Sequence, residues 1–279
     1  MVPPLGCRSL SGFYLIKCCV SLQASREWVG KQPHRHGASA LRTPVTKKKA
    51  TLVTTQEAKT PEHQAIYQRL RDLILFGEVE PGQPVTIMGL AERIGAGMTP
   101  IREAIRRLTA EGALTTLGNR RICVPVLTEN HLEQIAYARL SIEPELAFRA
   151  AKIADSRMIS ELRAIDSKLD EAIEKGHIRG YLEQNYRFHF HLYERAGAEV
   201  LETLAKGMWM RVGPSLRIVC GRYGTSNLPD QHGATLDALA AGDPHKVQAA
   251  MEQDIAQGLD QIRQSMIESN SLDGSTGTD

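Results

Sequence analysis

A mainly α chain, a winged helix-turn-helix followed by an all-α helical bundle, is the fold class that three observations of the sequence predict. Residues 90–112 hold two short helical patterns joined by a glycine-containing turn. Two β-prone runs follow, on either side of Gly118-Asn119. From about Thr128 onward, apolar residues recur almost only at helical spacing. The 279 residues leave room for two domains, and a hydrophobic content of 42% supports packed cores.

The first element with chemistry is "GMTPIREAIRRLTAEGAL", residues 97–114. Thr99 reads as an N-cap, Pro100 suits the first helical position, where its missing N–H costs nothing, and Gly112 can stop the helix. The helix is therefore expected from Pro100 to Glu111. Ile101, Ala104, Ile105 and Leu108 recur at i, i+3, i+4 and i+7 and form the inner face. Arg102 and Arg106 then share an outer face, and Glu103 is expected to pair with Arg107 four residues on. Two unpaired arginines near a helix N-terminus suit a phosphate backbone or a guanine edge; the alternative is a solvated basic face.

The neighbouring stretches favour the first reading. Upstream, "LAERIGAG" (90–97) is a short helix with Leu90, Ala91 and Ile94 inside and Gly95 as its stop. Downstream, "ALTTLGNRRICVPV" is a hairpin that sets Asn119, Arg120 and Arg121 at or beside its tip. A basic tip beside a basic helix gives two points of contact with double-stranded DNA.

Organisation follows from charge and periodicity. Residues 1–60 carry ten Lys/Arg against two acids, a surplus of eight that leaves the rest of the chain at −6 under a whole-chain charge of +2. They are expected to form a disordered basic arm, able to add nonspecific DNA affinity through "TPVTKKKA". The stretch "FYLIKCCVSL" is too short, and broken by Lys17, to span a membrane. The winged domain is expected over 61–128 and the helical effector and dimerisation domain over 129–268, with a polar disordered tail at 269–279. Helices are expected at 129–153, 156–175, 178–196, 198–219, 229–241 and 244–268, the last two separated by "AGDP". Cys7, Cys18, Cys19, Cys123 and Cys220 show neither metal-ligand nor disulfide-framework spacing, which fits free thiols in the cytoplasm.

Within the bundle one constellation can hold a metal. Asn185 and His189 lie four apart in "QNYRFHFHLY" and share a helical face, from which His191 points away. His232 and Asp254 flank the "AGDP" turn at similar distances, so an antiparallel helical hairpin sets both about 15 Å from the turn. Two imidazoles and two oxygens suit a divalent ion such as Zn, Ni or Mn, and exchangeable waters on it could give way to the carboxylate of a small organic acid.

Residues 62–128, above all "LRDLILFGEVEPGQPVTIMGLAERIGAGMTPIREAIRRLTAEGAL", resemble the DNA-binding domain of GntR-type bacterial regulators. That resemblance implies DNA contacts by Thr99, Arg102, Arg106, Asn119, Arg120 and Arg121. Two positions depart from the pattern: Met98 stands where the family carries an arginine in "SRTP", and Arg121 where it carries a glycine. "NYRFHFHLYERAGAEVL" and "HGATLDALAAGDPHKVQAAMEQDI" are similar to the ligand helices of the FCD effector domain of FadR-like members. The FCD resemblance maps the metal ligands onto Asn185, His189, His232 and Asp254, with Asn replacing an Asp and Asp254 replacing a His. It also makes Arg139 and Glu143, from "YARLSIEPELA", candidates for the effector pocket wall, with a plain i,i+4 salt bridge as the alternative; Arg211 is a further candidate on a later helix.

Together these readings predict a homodimeric regulator whose operator affinity follows a small carboxylate beside a metal. Two histidines and a carboxylate also occur in non-haem iron enzymes, but no nucleophile motif, paired carboxylates or phosphate loop accompanies them here. An architectural role through the basic arm is the third reading, and it predicts steep salt dependence without sequence preference.

Overall fold

The computed structural model describes residues 61–117, 121–223 and 229–274; the expectations for residues 1–60, Asn119 and Arg120 fall outside them. Helix α1 (Glu62–Leu75) buries Ile66, Tyr67, Leu70 and Ile74, one apolar face at helical spacing. Strand β1 (Val85–Thr86) leads into α2 (Ile87–Ile94). There the Thr86 side chain accepts a hydrogen bond from Gly89 N–H, and Gly95, at φ 68°, ends the helix. Helix α3 (Met98–Ala110) buries the expected Ile101, Ala104, Ile105 and Leu108. Strands β2 (Thr115–Leu117) and β3 (Arg121–Cys123) pair antiparallel, and β1 adds to the other side of β3, which gives the order β1-β3-β2. This is a winged helix-turn-helix with α3 as its second helix.

The bundle follows. Helix α4 (Glu129–Ala151) is capped by Thr128, α5 (Ser156–Glu174) by Asp155 and α8 (Gln231–Ala240) by Asp230, each side chain accepting a backbone N–H of the first turn. Between them run α6 (Ile178–Tyr193), a 3₁₀ turn (Glu194–Ala196) and α7 (Glu199–Tyr223), and α9 (Pro244–Gly274) closes the chain. Helix α4 packs chiefly on α9, α5 on α6, and α8 on α9, and side chains of α6 reach α8 and α9 in one interior, Phe188 against His232 and His189 against Asp254. The head and bundle cores are continuous: α1 lies against α3 on one side and α7 on the other.

Several expected boundaries move, among them that of α8, which begins at Gln231 rather than 229. Helix α3 begins at Met98 with Gly97 in the N-cap position and no side-chain cap, so Thr99 is already in the first turn. The segment expected as 198–219 runs from Glu199 to Tyr223. Helix α9 does not stop at 268: no proline or glycine interrupts residues 259–273, and the helix propagates to Gly274. Cys123 is buried, as expected of a small apolar residue, and Cys220 is half-buried.

Candidate metal centre and nucleic-acid interface

The candidate contact face of the head is exposed and loosely tied. Arg102 projects from the N-terminal half of α3, with no ion-pair partner among the described residues. Arg106 differs from expectation. It pairs with Glu103 three residues back, at 2.7 Å, because Arg107 is engaged elsewhere. Arg107 bonds Glu111 at 2.9 Å and lies over the Tyr67 ring, 3.8 Å from its centroid. Both partners of the Arg106–Glu103 pair are exposed, and such pairs are easily exchanged for a phosphate. Arg121 is exposed on the central strand, in register with Thr86 and Leu117. Thr99 is exposed at the start of α3, where orphan backbone N–H groups of the first turn favour an anion.

The buried site is the opposite case. His189 of α6 and His232 of α8 are only 1% and 7% exposed. With Asp254 of α9 they offer three ligand atoms, all within 4.8 Å of one another. His189 Nε2 stands 3.0 Å from Asp254 Oδ2, and His232 Nε2 3.9 Å from Asp254 Oδ1. Neither Nε2 atom is aligned for a hydrogen bond.

The other face of each ring is tied down. Tyr193 donates its hydroxyl hydrogen to Glu143 Oε2 at 2.9 Å, so toward His189 Nδ1, 3.0 Å away, it can only accept. His189 therefore carries its proton on Nδ1. His232 Nδ1 meets Asp166 Oδ1 at 3.0 Å, and because a carboxylate only accepts, that proton is on Nδ1 as well. Both Nε2 lone pairs then converge on a carboxylate, an arrangement of mutual repulsion unless a cation or an added proton lies between them. Burial pushes the Asp254 carboxyl up, yet a proton added to His189 or His232, together with Arg139, outweighs it and holds the carboxyl below the ordinary range. Burial likewise pushes His232 down, while the Asp166 hydrogen bond and the charges of Asp254, Asp166 and Asp230 leave it above its usual value. Asn185, one turn before His189, lines two adjoining cavities of about 230 and 50 Å³ that share Asp254, Tyr181 and Gln257.

Arg139 and Glu143 are less a pocket wall than a buttress. They form a buried two-point ion pair at 2.5 and 3.1 Å, and Glu143 also accepts from Tyr193 and from Trp209 Nε1 at 3.0 Å. Arg139 lies over the Trp209 ring and reaches the smaller cavity; Glu143 lines neither. Arg211 is not at this site. It follows Trp209 by two residues, about 200° around the helix. Trp209 accordingly faces His189, their ring centroids 4.9 Å apart, while Arg211 is exposed beside Gly112 and His131. His191 turns away to Glu161, as its phase predicts.

Asp166 and Tyr193 escaped the sequence reading. The second had a signal, because Tyr193 follows His189 by one helical turn. Asp166 lies 66 residues from its partner, and its one hint is that Asp166 and Asp170 share a face of α5.

Comparison with known proteins decides the family. Residues 62–124 match "Bacterial regulatory proteins, gntR family", and residues 134–257 match the FCD domain. The chain belongs to the GntR family. It is a transcriptional regulator with a GntR DNA-binding domain and an FCD effector domain, and not an enzyme. The HTH-type transcriptional regulator McbR of Escherichia coli is 27% identical over 67% of this chain and 88% of its own length. The probable D-xylose utilization operon transcriptional repressor of Paenarthrobacter nicotinovorans is 26% identical over 68% of this chain and 86% of its own. In structure, McbR superposes with a TM-score of 0.69 at 24% identity, covering 73% of this chain and 98% of that one. A GntR regulator from a Rhodococcus species gives 0.59 at 19% identity, covering 72% and 96%. Among the described residues no helix is long and apolar enough to cross a membrane.

Proposed function

We propose that this GntR regulator binds its operator as a homodimer, through Thr99, Arg102, Arg106 and Arg121 with Asn119 and Arg120 at the hairpin, and that a small metabolite beside a divalent ion sets its affinity. The observation that carries the metal is the pair of buried, unpartnered Nε2 atoms converging on Asp254 while both Nδ1 atoms are held from behind. His189, His232 and Asp254 would hold the ion, with Asn185 placed to add an oxygen; Zn, Ni and Mn all suit such donors. The ion would supply positive charge and exchangeable positions for an oxygen donor such as the carboxylate of an organic acid.

The path to DNA runs through this chain's own residues. Three residues before His189 on α6, Tyr186 accepts a 2.6 Å hydrogen bond from Arg71 of α1. The Trp209 ring contacts both His189 and Tyr186, with centroids 4.9 and 5.5 Å away. Helix α1 in turn holds the back of α3, where Tyr67 donates to Glu111 and carries Arg107 on its ring. A ligand that shifts α6 therefore bears on the support of the helix proposed to read DNA, and linkage makes the effect reciprocal. The test is selection from a random duplex library by the full chain and by Arg102→Ala/Arg106→Ala. A palindrome recovered only by the unsubstituted chain supports the reading, and equal recovery by both, with steep salt dependence, would replace it with nonspecific binding.

A further inference from the structure

The larger cavity carries an unusual balance of charge. Asp166, Asp170, Asp230 and Asp254 all line it, and no lysine or arginine does among the described residues. Three of these carboxylates have identified partners. Asp254 faces the two histidines, Asp166 holds His232, and Asp230 caps α8 through Gly233 N–H. Asp170 has no hydrogen-bond or ion-pair partner among the described residues. It lies one turn beyond Asp166 on α5, about 6 Å along the axis. Partial burial and the nearby charges of Asp166 and Asp230 push its carboxyl above the ordinary range. His232 lines the same cavity, its buried Nε2 making no hydrogen bond and standing 3.9 Å from Asp254 Oδ1.

Four carboxylates outweigh one divalent ion, so the wall stays net negative even when the ion is seated. A simple diacid would meet the metal with one end and repulsion with the other. We infer that the effector is a zwitterion, whose oxygen-donor end sits at the metal and whose ammonium end is taken by Asp170 at the acidic mouth formed with Asp166 and Asp230. The inference rests on the metal reading above and deepens it. The volume, about 230 Å³, is that of roughly eight waters, which limits the ligand to a small amine-bearing acid.

The test is isothermal titration of the zinc-loaded full chain with γ-aminobutyrate, γ-hydroxybutyrate and succinate, which share a carboxylate and chain length and differ at the far end. The ammonium compound is expected to bind at least about tenfold more tightly than the diacid, with the hydroxyl compound between. Asp170→Lys is expected to reverse that order, and Asp170→Asn to flatten it, while zinc affinity is unchanged. Asp170 is exposed, so neither substitution disturbs the core. Succinate binding as tightly as γ-aminobutyrate overturns the inference, and so do a preference indifferent to Asp170 and the failure of all three compounds at millimolar concentration while zinc binds. Failure of zinc itself to bind would instead remove the metal reading beneath it.

Discussion

The face of α3 and the interior between α6, α8 and α9 use the same kinds of charged side chain to opposite ends. On α3 the arginines are exposed, Arg106 is held only by a neighbour on its own helix, and Arg102 has no ion-pair partner among the described residues. In the bundle both candidate imidazole ligands are fixed from behind: His189 by Tyr193, Tyr193 by Glu143, Glu143 by Arg139 and Trp209, and His232 by Asp166. A surface that a phosphate backbone completes can stay mobile until contact. A metal site has to be shaped beforehand, because misplaced ligands cost affinity.

The contrast is broken most directly by removing one charge from each region. Glu143→Ala leaves Arg139 buried without a counter-charge and takes an acceptor from Tyr193 and Trp209, so chemical denaturation should show a loss of about 3–5 kcal/mol. Glu103→Ala, at an exposed pair, should leave the midpoint where it is. Equal losses would mean that the interior network is no better organised than the surface.

Support of the ligands from behind gives the next largest effect. Asp166→Asn keeps the shape but weakens the hold on His232 Nδ1, and zinc affinity by competition titration should fall about 10–100-fold with folding intact. An unchanged affinity would show that Asp166 only lines the cavity. On the DNA side, Arg102→Ala should weaken binding to a selected duplex by about 1–3 kcal/mol and relax preference at one position, if it reads a guanine. A uniform loss across sequences, with a salt slope lower by about one, would reassign it to a phosphate. Smallest is Tyr186→Phe. It removes the acceptor for Arg71 and leaves the metal ligands untouched, so metal affinity should hold while the ligand-induced change in DNA affinity shrinks by about 0.5–2 kcal/mol.

Periodicity explains what could be read in advance. The inner face of α3 and the levelling of His232 with Asp254 follow from helical spacing and from a hairpin of known length, both local properties, whereas His189 was joined to them through the FCD resemblance. The ion pairs of α3 were less legible, because Glu103 has arginines at both i+3 and i+4 and the choice depended on Tyr67, a residue of another helix. The phase of Arg211 was available in the sequence, two residues from Trp209, and identifies it as an outward residue. Asp166 was out of reach: only the packing of α5 against α8 brings it to His232.

The most direct test of the whole reading is the amount of ion that the bundle retains. Apo protein titrated with zinc should take up one ion per chain, and His189→Ala and His232→Ala should each lose it while the reading head remains folded. A folded wild-type chain that takes up no zinc, nickel or manganese would contradict the assignment, and the converging imidazoles would then be a protonated pair around Asp254.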